Sequence, residues 1–388
     1  MTPALIVAFA LFAVWVYLFS FRTRFPDESY FEAFDTRRTP ERWPTLSVIL
    51  PARNEAGVLP FTLPTVLSFY YPYVEVILVD DCSEDTTAAV AEQTAASHPA
   101  AVFRLLRGSP TPPGWRGKPW ALQQGVEASN GEWLLFTDAD IFFQPAVARD
   151  LVRLALHQQF QMASLLVLFR TESFWDRLLI PAFFFFFHLL YPFHRVRNAR
   201  SRTAAAAGGC LLVERAALER AGGLAAIRDA WIDDVALGRL LKRSGACTYL
   251  GATVQAACFR RYGTLRSLRT MVVRSAFTQL RHSWAMLVLT LAGLGFVFGL
   301  PPVGMALVMT GIVQGADLFQ EYLLSVASGM TLGLMILAYH PALRLYRLPV
   351  IWGLTLPVAV VVYAWMTIES AVRHALGGGP KWKGRTGG

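Results

Sequence analysis

The sequence carries little charge. Only 16% of its 388 residues are charged and 54% are apolar, whereas a typical soluble domain has about 25% charged and 45 to 50% apolar residues. This composition excludes a disordered chain, and it does not fit an ordinary soluble enzyme. We therefore expect part of the chain to lie in lipid.

Cysteine is scarce as well. The chain has four cysteines without metal-ligand spacing, at Cys82, Cys210, Cys247 and Cys258. A small secreted module held by disulfides is excluded, and scattered free thiols fit a reducing compartment. Two phosphate-binding signatures are also missing, since no Gly-x-Gly-x-x-Gly follows the first predicted strand and no P-loop sequence occurs. Phosphate bound by this chain must therefore be held in another way.

The formal net charge is +9, and the location of the basic residues indicates a membrane surface rather than nucleic acid. The arginines that follow the first apolar run or precede the second apolar block are Arg22, Arg24, Arg260, Arg261, Arg266, Arg269, Arg274 and Arg281. The positive-inside rule predicts this distribution for cytoplasmic segments beside membrane helices, and anionic headgroups attract the same residues. We expect no nucleic-acid partner.

Apolar runs at both ends of the chain predict membrane helices. Residues 3–21 contain no charge and are long enough to cross about 30 Å of hydrocarbon, and the positive charge after them places the next domain in the cytoplasm. The C-terminal apolar runs predict three or four helices. The predicted organisation is a transmembrane anchor (1–21), a cytoplasmic domain (22–283), C-terminal transmembrane helices (284–369) and a basic tail (370–388).

A further apolar run, at 178–193, contains Pro181 and His188. It is short for a membrane span, and a single crossing here would separate acidic motifs that we expect to share one site. We therefore interpret it as an interfacial segment of the cytoplasmic domain. An aromatic-rich core element is an equally good interpretation.

Three short apolar runs between the two ends predict a parallel sheet. LSVIL precedes PARNE, VEVILV precedes DDCSED, and EWLLF precedes TDAD. Runs of this length and composition, bounded by polar residues, are typical of buried parallel strands. Their order, with a crossover and a helical pattern between them, predicts an α/β, Rossmann-like domain whose ligands bind beyond the carboxyl ends of the strands.

Acidic residues follow each of these strands: Glu55, then Asp80 with Asp81, then Asp138 with Asp140. Carboxylates brought to one edge of a sheet repel one another, so we expect a cation among them. Oxygen ligands suit Mg²⁺ or Mn²⁺, and one or two carboxylates commonly hold such an ion together with substrate phosphates. Asp138 and Asp140 are thus predicted metal ligands, although a lone Asp-x-Asp is also typical of a turn or a helix cap.

Three further segments carry candidate site residues. Lys118, in the loop GWRGKPWAL, either offers a point charge to a phosphate or is a solvated lysine. Gly208 and Gly209 allow close approach of the backbone, which suits a ligand pocket or a tight turn. Asp233 and Asp234 open an amphipathic helix, where a carboxylate is either a stabilising first-turn residue or a general base. Spacing alone leaves these alternatives open.

Taken in order, the motifs PARNEA, VDDCSED, GKPWAL, TDAD, GGC, AGG and IDD resemble those of family 2 glycosyltransferases, which have the GT-A fold. The resemblance covers about residues 44–285. With GWRGKPWAL, ESFWDRLLIPAFFFFF, RTAAAAGGC and the flanking apolar runs, the chain resembles more closely the bacterial hopene-associated glycosyltransferases. Ceramide glucosyltransferases are more distantly similar.

The resemblance implies a role for each motif. In such enzymes the first two acidic motifs hold the uridine of a nucleotide sugar, the Asp-x-Asp motif binds ribose, diphosphate and metal, and the last aspartate of the third motif is the catalytic base. The implied nucleotide-sugar ligands are Glu55, Asp80, Asp81, Lys118, Asp138, Gly208, Gly209, Asp233 and Arg274; the implied metal ligands are Asp138 and Asp140, and the implied base is Asp234. Arg274 belongs to a Gln-x-x-Arg-Trp signature in which Met271 and Ser275 replace the glutamine and the tryptophan.

The implied activity is inverting transfer of a sugar from a UDP-sugar to a membrane lipid, such as a hopanoid, at the inner membrane of a bacterial cell. The missing tryptophan favours this over a processive polysaccharide synthase, because that residue helps to form the acceptor platform in those enzymes. A non-catalytic membrane scaffold with the same fold is a third hypothesis, which the retention of every acidic position disfavours.

Overall fold

The three apolar runs that end in acidic residues form neighbouring strands. They belong to an eight-stranded sheet. The computed structural model describes residues 2–34, 39–312, 317–377, 381–382 and 385–386. The chain divides into two units. We name them the sheet unit (26–170, 193–261 and 380–388) and the helical unit (1–25, 171–192 and 262–379).

The strands of the sheet unit are β1 (Leu46–Ala52), β2 (Val74–Asp80), β3 (Val102–Arg107), β4 (Trp133–Phe136), β5 (Ile141–Phe143), β6 (Met162–Leu168), β7 (Leu211–Glu214) and β8 (Thr248–Cys258), with a short pair β9 (Lys381–Trp382) and β10 (Arg385–Thr386). The order in the large sheet is β3-β2-β1-β4-β7-β6-β8-β5. Strands β3, β2, β1 and β4 are parallel, β7 is antiparallel to both of its neighbours, and β5 is antiparallel to β8. The sheet is therefore mixed, with a parallel Rossmann-like half.

The register of the parallel half brings the acidic motifs to one edge. Ala52 at the end of β1 pairs with Asp80 at the end of β2, and Phe136 at the end of β4 pairs with Ile49 of β1. Because these strands are parallel, their carboxyl ends meet at the same edge of the sheet. The predicted arrangement of the first three motifs is thus present.

Both faces of the parallel half are buried, which explains the continuous apolar runs. Val48 and Leu50 pack in one core cluster, whereas Ile49 packs in the cluster on the opposite face, as the alternation of side chains along a strand requires. The helices that accompany the sheet are Leu59–Leu67, Thr87–Ala96, Gly117–Glu127, Val147–Gln158, Phe193–Arg197, Arg215–Arg220 and Asp233–Arg243, with a 3₁₀ turn at Leu224–Ile227 and two more at Asp27–Ser29 and Phe31–Ala33.

Two glycines allow the site-bearing helices to pack closely. A Cβ at Gly125 would lie 2.4 Å from Ile49 Cγ2, so the helix Gly117–Glu127 can approach β1 only because this residue has no side chain. A Cβ at Gly238 would lie 2.7 Å from the carbonyl carbon of Ala205, which fixes the helix Asp233–Arg243 against the chain before β7 in the same way. The amino ends of these helices carry Lys118 and Asp233-Asp234.

The helical unit is built from apolar helices. Its helices are Pro3–Tyr17, Phe174–Leu190, Leu265–Val273, Ala276–Gln279, Trp284–Leu294, Leu300–Met309, Leu318–Leu345 and Leu356–Ala375, with π-helical turns at Leu18–Arg22 and Gly295–Gly299 and a 3₁₀ helix at Val350–Thr355. Among the described residues, five stretches are long and apolar enough to cross a membrane: Pro3–Arg22, Phe174–Arg197, Trp284–Met309, Leu318–Leu345 and Val350–Ala375.

Apolar side chains on these helices point outward as well as inward. Leu289 and Val361 are 66% and 69% exposed, which is costly in water and favourable in hydrocarbon. Inside the unit, Trp15 is fully buried and its Nε1 donates to Val297 O at 2.9 Å, while Tyr363 Oη donates to Leu179 O at 2.8 Å. The polar ends of these aromatic side chains are therefore satisfied.

The run at 178–193 forms most of the helix Phe174–Leu190, whose amino end has a capping box between Ser173 and Asp176. The helix contains Pro181 and groups with the helical unit. His188 Nε2 lies 3.2 Å from Arg24 O. The predicted domain limits and the number of membrane crossings stay predictions, and residues 378–380, 383–384 and 387–388 of the predicted basic tail lie outside the described residues.

Candidate active site

The Asp-x-Asp motif lies in the loop between β4 and β5, and hydrogen bonds to its neighbours fix this loop. Thr137 N donates to Ile49 O at 3.2 Å, and Thr137 Oγ1 donates to Gly209 O at 2.8 Å. Thr62 Oγ1 donates to Ala139 O at 2.6 Å. The backbone that carries Asp138 and Asp140 is therefore held from three directions.

Asp138 belongs to a first group of charges, which we name the Lys118 cluster: Lys118, Asp138, Gly208, Asp233 and Asp234. Lys118 Nζ lies 2.7 Å from Asp138 Oδ1 and 3.5 Å from Asp233 Oδ2. Asp234 Oδ2 accepts a hydrogen bond from Gly208 N at 2.8 Å, and its Oδ1 accepts one from Val235 N at 2.7 Å. The structure thus brings three separate predicted segments together around one lysine.

Gly208 lies between the lysine and the last aspartate of this cluster. A Cβ at this position would lie 3.0 Å from Lys118 Nζ and 3.4 Å from Asp234 Oδ2. A Cβ at Gly209 would lie 3.0 Å from Val167 Cγ2. A side chain at Gly208 would fill the space between the charged groups, so this glycine keeps the cluster open, whereas Gly209 allows the backbone to pack closely against Val167.

Electrostatics in the Lys118 cluster keep the lysine charged and make one aspartate basic. Burial lowers the pKa of Lys118, but the carboxylates of Asp138, Asp233 and Asp234 outweigh burial and raise this pKa above its usual value. Burial and then the Asp233 carboxylate raise the pKa of Asp234 to about 6, although Lys118 and two backbone N–H donors lower it. Such a carboxylate can accept a proton near neutral pH.

Asp140 belongs to a second group, which we name the Arg260 cluster: Arg260, Glu55 and Asp140. Arg260 Nε donates to Asp140 Oδ2 at 2.7 Å, and Arg260 Nη2 donates to Glu55 Oε1 and Oε2 at 2.8 and 2.7 Å. Burial lowers the pKa of Arg260, and its hydrogen bond to Asp140 and the two carboxylate charges raise it above the usual value. The guanidinium joins the first and third acidic motifs.

The position of Arg260 could not be predicted from the sequence, in which it resembles the arginines beside the membrane helices. The residue follows β8, and the antiparallel pairing of Ile141 with Cys258 brings it beside the Asp-x-Asp loop. This pairing joins segments more than a hundred residues apart. The available signal was an arginine directly after an apolar run, the same pattern that identified the acidic motifs.

The loops after β1 and β2 are interlocked. Asn54 N donates to Ser83 Oγ at 3.0 Å, and Asn54 Oδ1 accepts from Glu84 N at 2.9 Å. Asp80 Oδ1 accepts from Ser83 N at 3.1 Å, and Asp81 is fully buried.

Asn54 and Cys82 have positive φ values of 52° and 51°, which is uncommon for residues other than glycine. Backbone held in such a conformation beyond a strand end suits a ligand site.

A further contact joins the segments that carry Lys118 and Asp233. Arg116 N donates to Arg228 O at 2.7 Å, and the Arg116 guanidinium lies 4.0 Å from the centre of the Trp231 ring, which is a cation–π contact. Arg116 and Trp231 each precede a residue of the Lys118 cluster by two positions. The contact therefore fixes the distance between the two helix amino ends.

The acidic residues suit a divalent cation. The two clusters contain five carboxylates and two cationic side chains, so the edge has a surplus of negative charge. Among the described residues, no three His, Cys, Asp or Glu side chains surround a common point. Asp138 and Asp140, the predicted metal ligands, would supply the one or two carboxylates with which Mg²⁺ or Mn²⁺ is commonly bound when substrate phosphates complete its shell.

One predicted residue belongs to the other unit. Arg274 follows the helix Leu265–Val273 in the helical unit. Its predicted contact with the diphosphate stays a prediction, as do the roles predicted for the remaining site residues.

The mixed, Rossmann-like sheet with an Asp-x-Asp loop after β4 confirms the GT-A fold that the motifs predicted. The fold agrees with that of a mannosyltransferase from Pyrobaculum calidifontis, solved with GDP-mannose and Mn²⁺. The two chains superpose with a TM-score of 0.55 at 19% identity, over 96% of this chain and 99% of the other.

Residues 47–222 match the model of the family described as Glycosyl transferase family 2, so the chain carries a glycosyltransferase domain of that family. A 4,4'-diaponeurosporenoate glycosyltransferase of Staphylococcus haemolyticus is 36% identical over 112 residues, which are 29% of this chain and 28% of the relative. A human dolichyl-phosphate beta-glucosyltransferase is 33% identical over 161 residues, 35% of this chain and 47% of the relative. The chain thus spans less than half of each curated relative.

These matches confirm the predicted fold class and the predicted glycosyltransferase family 2 domain. The finer resemblance to hopene-associated glycosyltransferases is a matter for the proposal below.

Proposed function

We propose that this protein transfers a sugar from a UDP-sugar to a lipid of the membrane that holds its apolar helices, with inversion at the anomeric carbon. The observation that carries the proposal is the Lys118 cluster. Its lysine pairs with Asp138 of the Asp-x-Asp loop and with Asp233, next to an aspartate of raised pKa, Asp234, inside a glycosyltransferase domain.

The donor would bind at the carboxyl edge of the parallel strands. The buried acidic residues Glu55, Asp80 and Asp81, in the interlocked loops after β1 and β2, would hold the nucleoside. Lys118 and Arg260 would be the cations closest to its diphosphate, and Asp138 and Asp140 would hold a divalent cation. When bound, that ion supplies positive charge to the departing diphosphate.

Asp234 would act as the general base. Two backbone N–H groups orient its carboxylate, and a pKa of about 6 leaves it ionised at neutral pH. It would take the proton of the acceptor hydroxyl while that oxygen forms a bond to the anomeric carbon and the bond to the nucleoside diphosphate breaks. The leaving group departs with the electron pair, and positively charged side chains stabilise it.

The acceptor would be a membrane lipid. The outward apolar side chains of the helical unit support membrane insertion, and confining enzyme and lipid to one membrane raises their effective concentration. The names of two relatives contain diaponeurosporenoate and dolichyl phosphate, which agrees with a lipid acceptor. The resemblance to hopene-associated enzymes makes a hopanoid our specific proposal, with the catalytic domain on the cytoplasmic side of a bacterial inner membrane.

The test uses the full chain in nanodiscs of bacterial lipid. Labelled UDP-sugars and GDP-mannose are supplied with Mn²⁺ or chelator, to lipid extracts with and without hopanoids, and the labelled products are identified by mass spectrometry. We expect a single-sugar lipid that forms only with hopanoids and is lost on chelation. Label in another lipid would mean that this lipid, and not a hopanoid, is the acceptor. Long polymers would favour a processive synthase. The absence of a product from every donor would contradict the proposal.

A further inference from the structure

Arg260 occupies oxygens that a metal ion would need. Its Nε donates to Asp140 Oδ2 at 2.7 Å, and its Nη2 lies within 2.8 Å of both carboxylate oxygens of Glu55. A guanidinium in this geometry makes strong charge-assisted hydrogen bonds, and its charge repels a second cation. A divalent ion at Asp140 must therefore compete with Arg260.

The two cations of the site differ in how easily they can leave their carboxylates. The side chain of Lys118 is 17% exposed, and it serves Asp138 and Asp233 at once. The Arg260 side chain is 37% exposed, so solvent or a ligand can reach the guanidinium. Its planar fork also matches the oxygens of a phosphate group as well as it matches a carboxylate.

We propose that Arg260 is a competing cation at Asp140 that makes metal binding depend on the nucleotide. Without donor, the guanidinium pairs with both Glu55 and Asp140 and holds the affinity for a divalent ion low. When a nucleoside diphosphate binds, the guanidinium exchanges Asp140 for a phosphate oxygen and leaves the carboxylate to the metal. The exchange rests on the proposed nucleotide-sugar function and adds an order to its binding steps.

Competition of this kind has consequences of opposite sign for the two ligands. Removing the guanidinium should raise the affinity for the metal alone, because the competitor is gone. It should lower the affinity for the nucleotide, because a phosphate partner is gone. By linkage, the factor by which nucleotide raises metal affinity equals the factor by which metal raises nucleotide affinity, so both factors should shrink together.

The test measures Mn²⁺ binding by electron paramagnetic resonance to the full chain in nanodiscs, with and without UDP, or with GDP if the donor panel selects it. We expect Arg260→Gln to bind Mn²⁺ alone about tenfold more tightly than the unchanged protein, the scale of one charge-assisted hydrogen bond, and to lose most of the enhancement by nucleotide. Arg260→Lys keeps the charge without the fork and should fall between the two.

The matched control is Arg42→Gln. Arg42 pairs with Glu132 at 3.1 Å, directly before β4 and therefore at the opposite edge of the sheet from Asp138. The Arg42→Gln substitution removes one positive charge from the same unit, as Arg260→Gln does, and it should leave Mn²⁺ binding unchanged. If Arg260→Gln does not fold, Arg260→Lys alone decides the direction of the change.

Equal or weaker Mn²⁺ affinity in both Arg260 variants would overturn the inference, as would absence of Mn²⁺ binding in every protein tested. Sugar transfer by the unchanged protein is measured on the same preparation. Transfer with unaltered Mn²⁺ affinity in the variants would remove the competing role of Arg260 and leave the proposed function standing, whereas absence of transfer from any donor would count against the function itself.

Discussion

The Lys118 cluster and the Arg260 cluster use the same chemistry, a cation between carboxylates, in two different settings. Lys118 is 17% exposed and its carboxylate neighbours are further held by backbone N–H groups, as at Asp234. Arg260 is 37% exposed and joins two carboxylates from separate loops through its guanidinium, beside a backbone hydrogen bond from Phe259 N to Asp140 O at 2.7 Å. The Lys118 cluster therefore has a geometry that the backbone fixes, whereas the Arg260 cluster has the access to solvent that the proposed exchange of partners requires.

The local structure explains this difference. Lys118 and Asp234 each stand in the first turn of a helix that a glycine holds tightly against its neighbour. The amino end of a helix also stabilises a carboxylate, so Asp234 is at once a first-turn residue and a candidate base. Arg260 instead follows the end of β8, and a flexible side chain brings its charge to the site.

The largest effect should come from the fixed cluster. Asp234→Asn keeps the shape of the side chain and removes its basicity, so we expect the rate of sugar transfer to fall by about 10²- to 10⁴-fold while nucleotide binding is kept. The measurement is single-turnover transfer together with calorimetric binding of the nucleotide. Asp229→Asn, a nearby exposed aspartate, is the control and should stay active. Full turnover by Asp234→Asn would remove the assignment of the base.

A smaller loss of transfer is expected from the exchanging cluster. Asp140→Ala removes a metal ligand and a partner of Arg260, and the loss of one preorganised electrostatic contact typically costs about 10²- to 10³-fold. In contrast to Asp234→Asn, this change should weaken both Mn²⁺ binding and nucleotide binding. Unchanged affinity for both Mn²⁺ and nucleotide in Asp140→Ala would contradict a binding role for the Arg260 cluster that is separate from the role of Asp234 in proton transfer.

Much of this arrangement could be predicted from the sequence, because the parallel half of the sheet is locally encoded. The runs at β1, β2 and β4 are continuously apolar and end in acidic residues, and parallel strands have only one edge at which those residues can meet. Motif order then pointed to Lys118 and Asp234, which the structure brings to the same edge.

The other half of the sheet could not be predicted in this way. Strand β5 has three residues, too few for a periodic signal, and its pairing with β8 depends on a long-range register that no local pattern specifies. The pairing of Asp140 with Arg260 could therefore not be predicted from the sequence. The helix Phe174–Leu190 was ambiguous for another reason, since an apolar, aromatic run with an internal proline fits both a lipid-facing and a protein-buried helix.

The pH dependence should distinguish the clusters further. Because the pKa of Asp234 is raised to about 6 and a base acts in its ionised form, kcat/KM should be constant above this pH and fall about tenfold for each unit below it. The Asp233 carboxylate contributes to the raised pKa, so Asp233→Asn should move the acid limb to lower pH. An acid limb that stays in place in Asp233→Asn would contradict the assignment of that limb to Asp234.

The smallest effect should come from the contact that braces the fixed cluster from outside. The Arg116 guanidinium lies 4.0 Å from the centre of the Trp231 ring and both residues are half-buried. A cation–π pair that keeps access to solvent is worth about 0.5 to 1 kcal/mol, or about two- to fivefold in kcat. Arg116→Ala and Trp231→Leu should each slow transfer by about this factor, and the double variant should be no slower than either single one, because both changes break the same contact. Arg42→Gln serves again as the control for charge.

In this interpretation Arg116 acts by setting the distance between Lys118 and Asp233, so the affinity for nucleotide and the exchange at Arg260 should stay unchanged. Fully additive losses in the double variant would show that the two residues do not act through one contact. A change in Mn²⁺ affinity would mean that the two clusters are not independent.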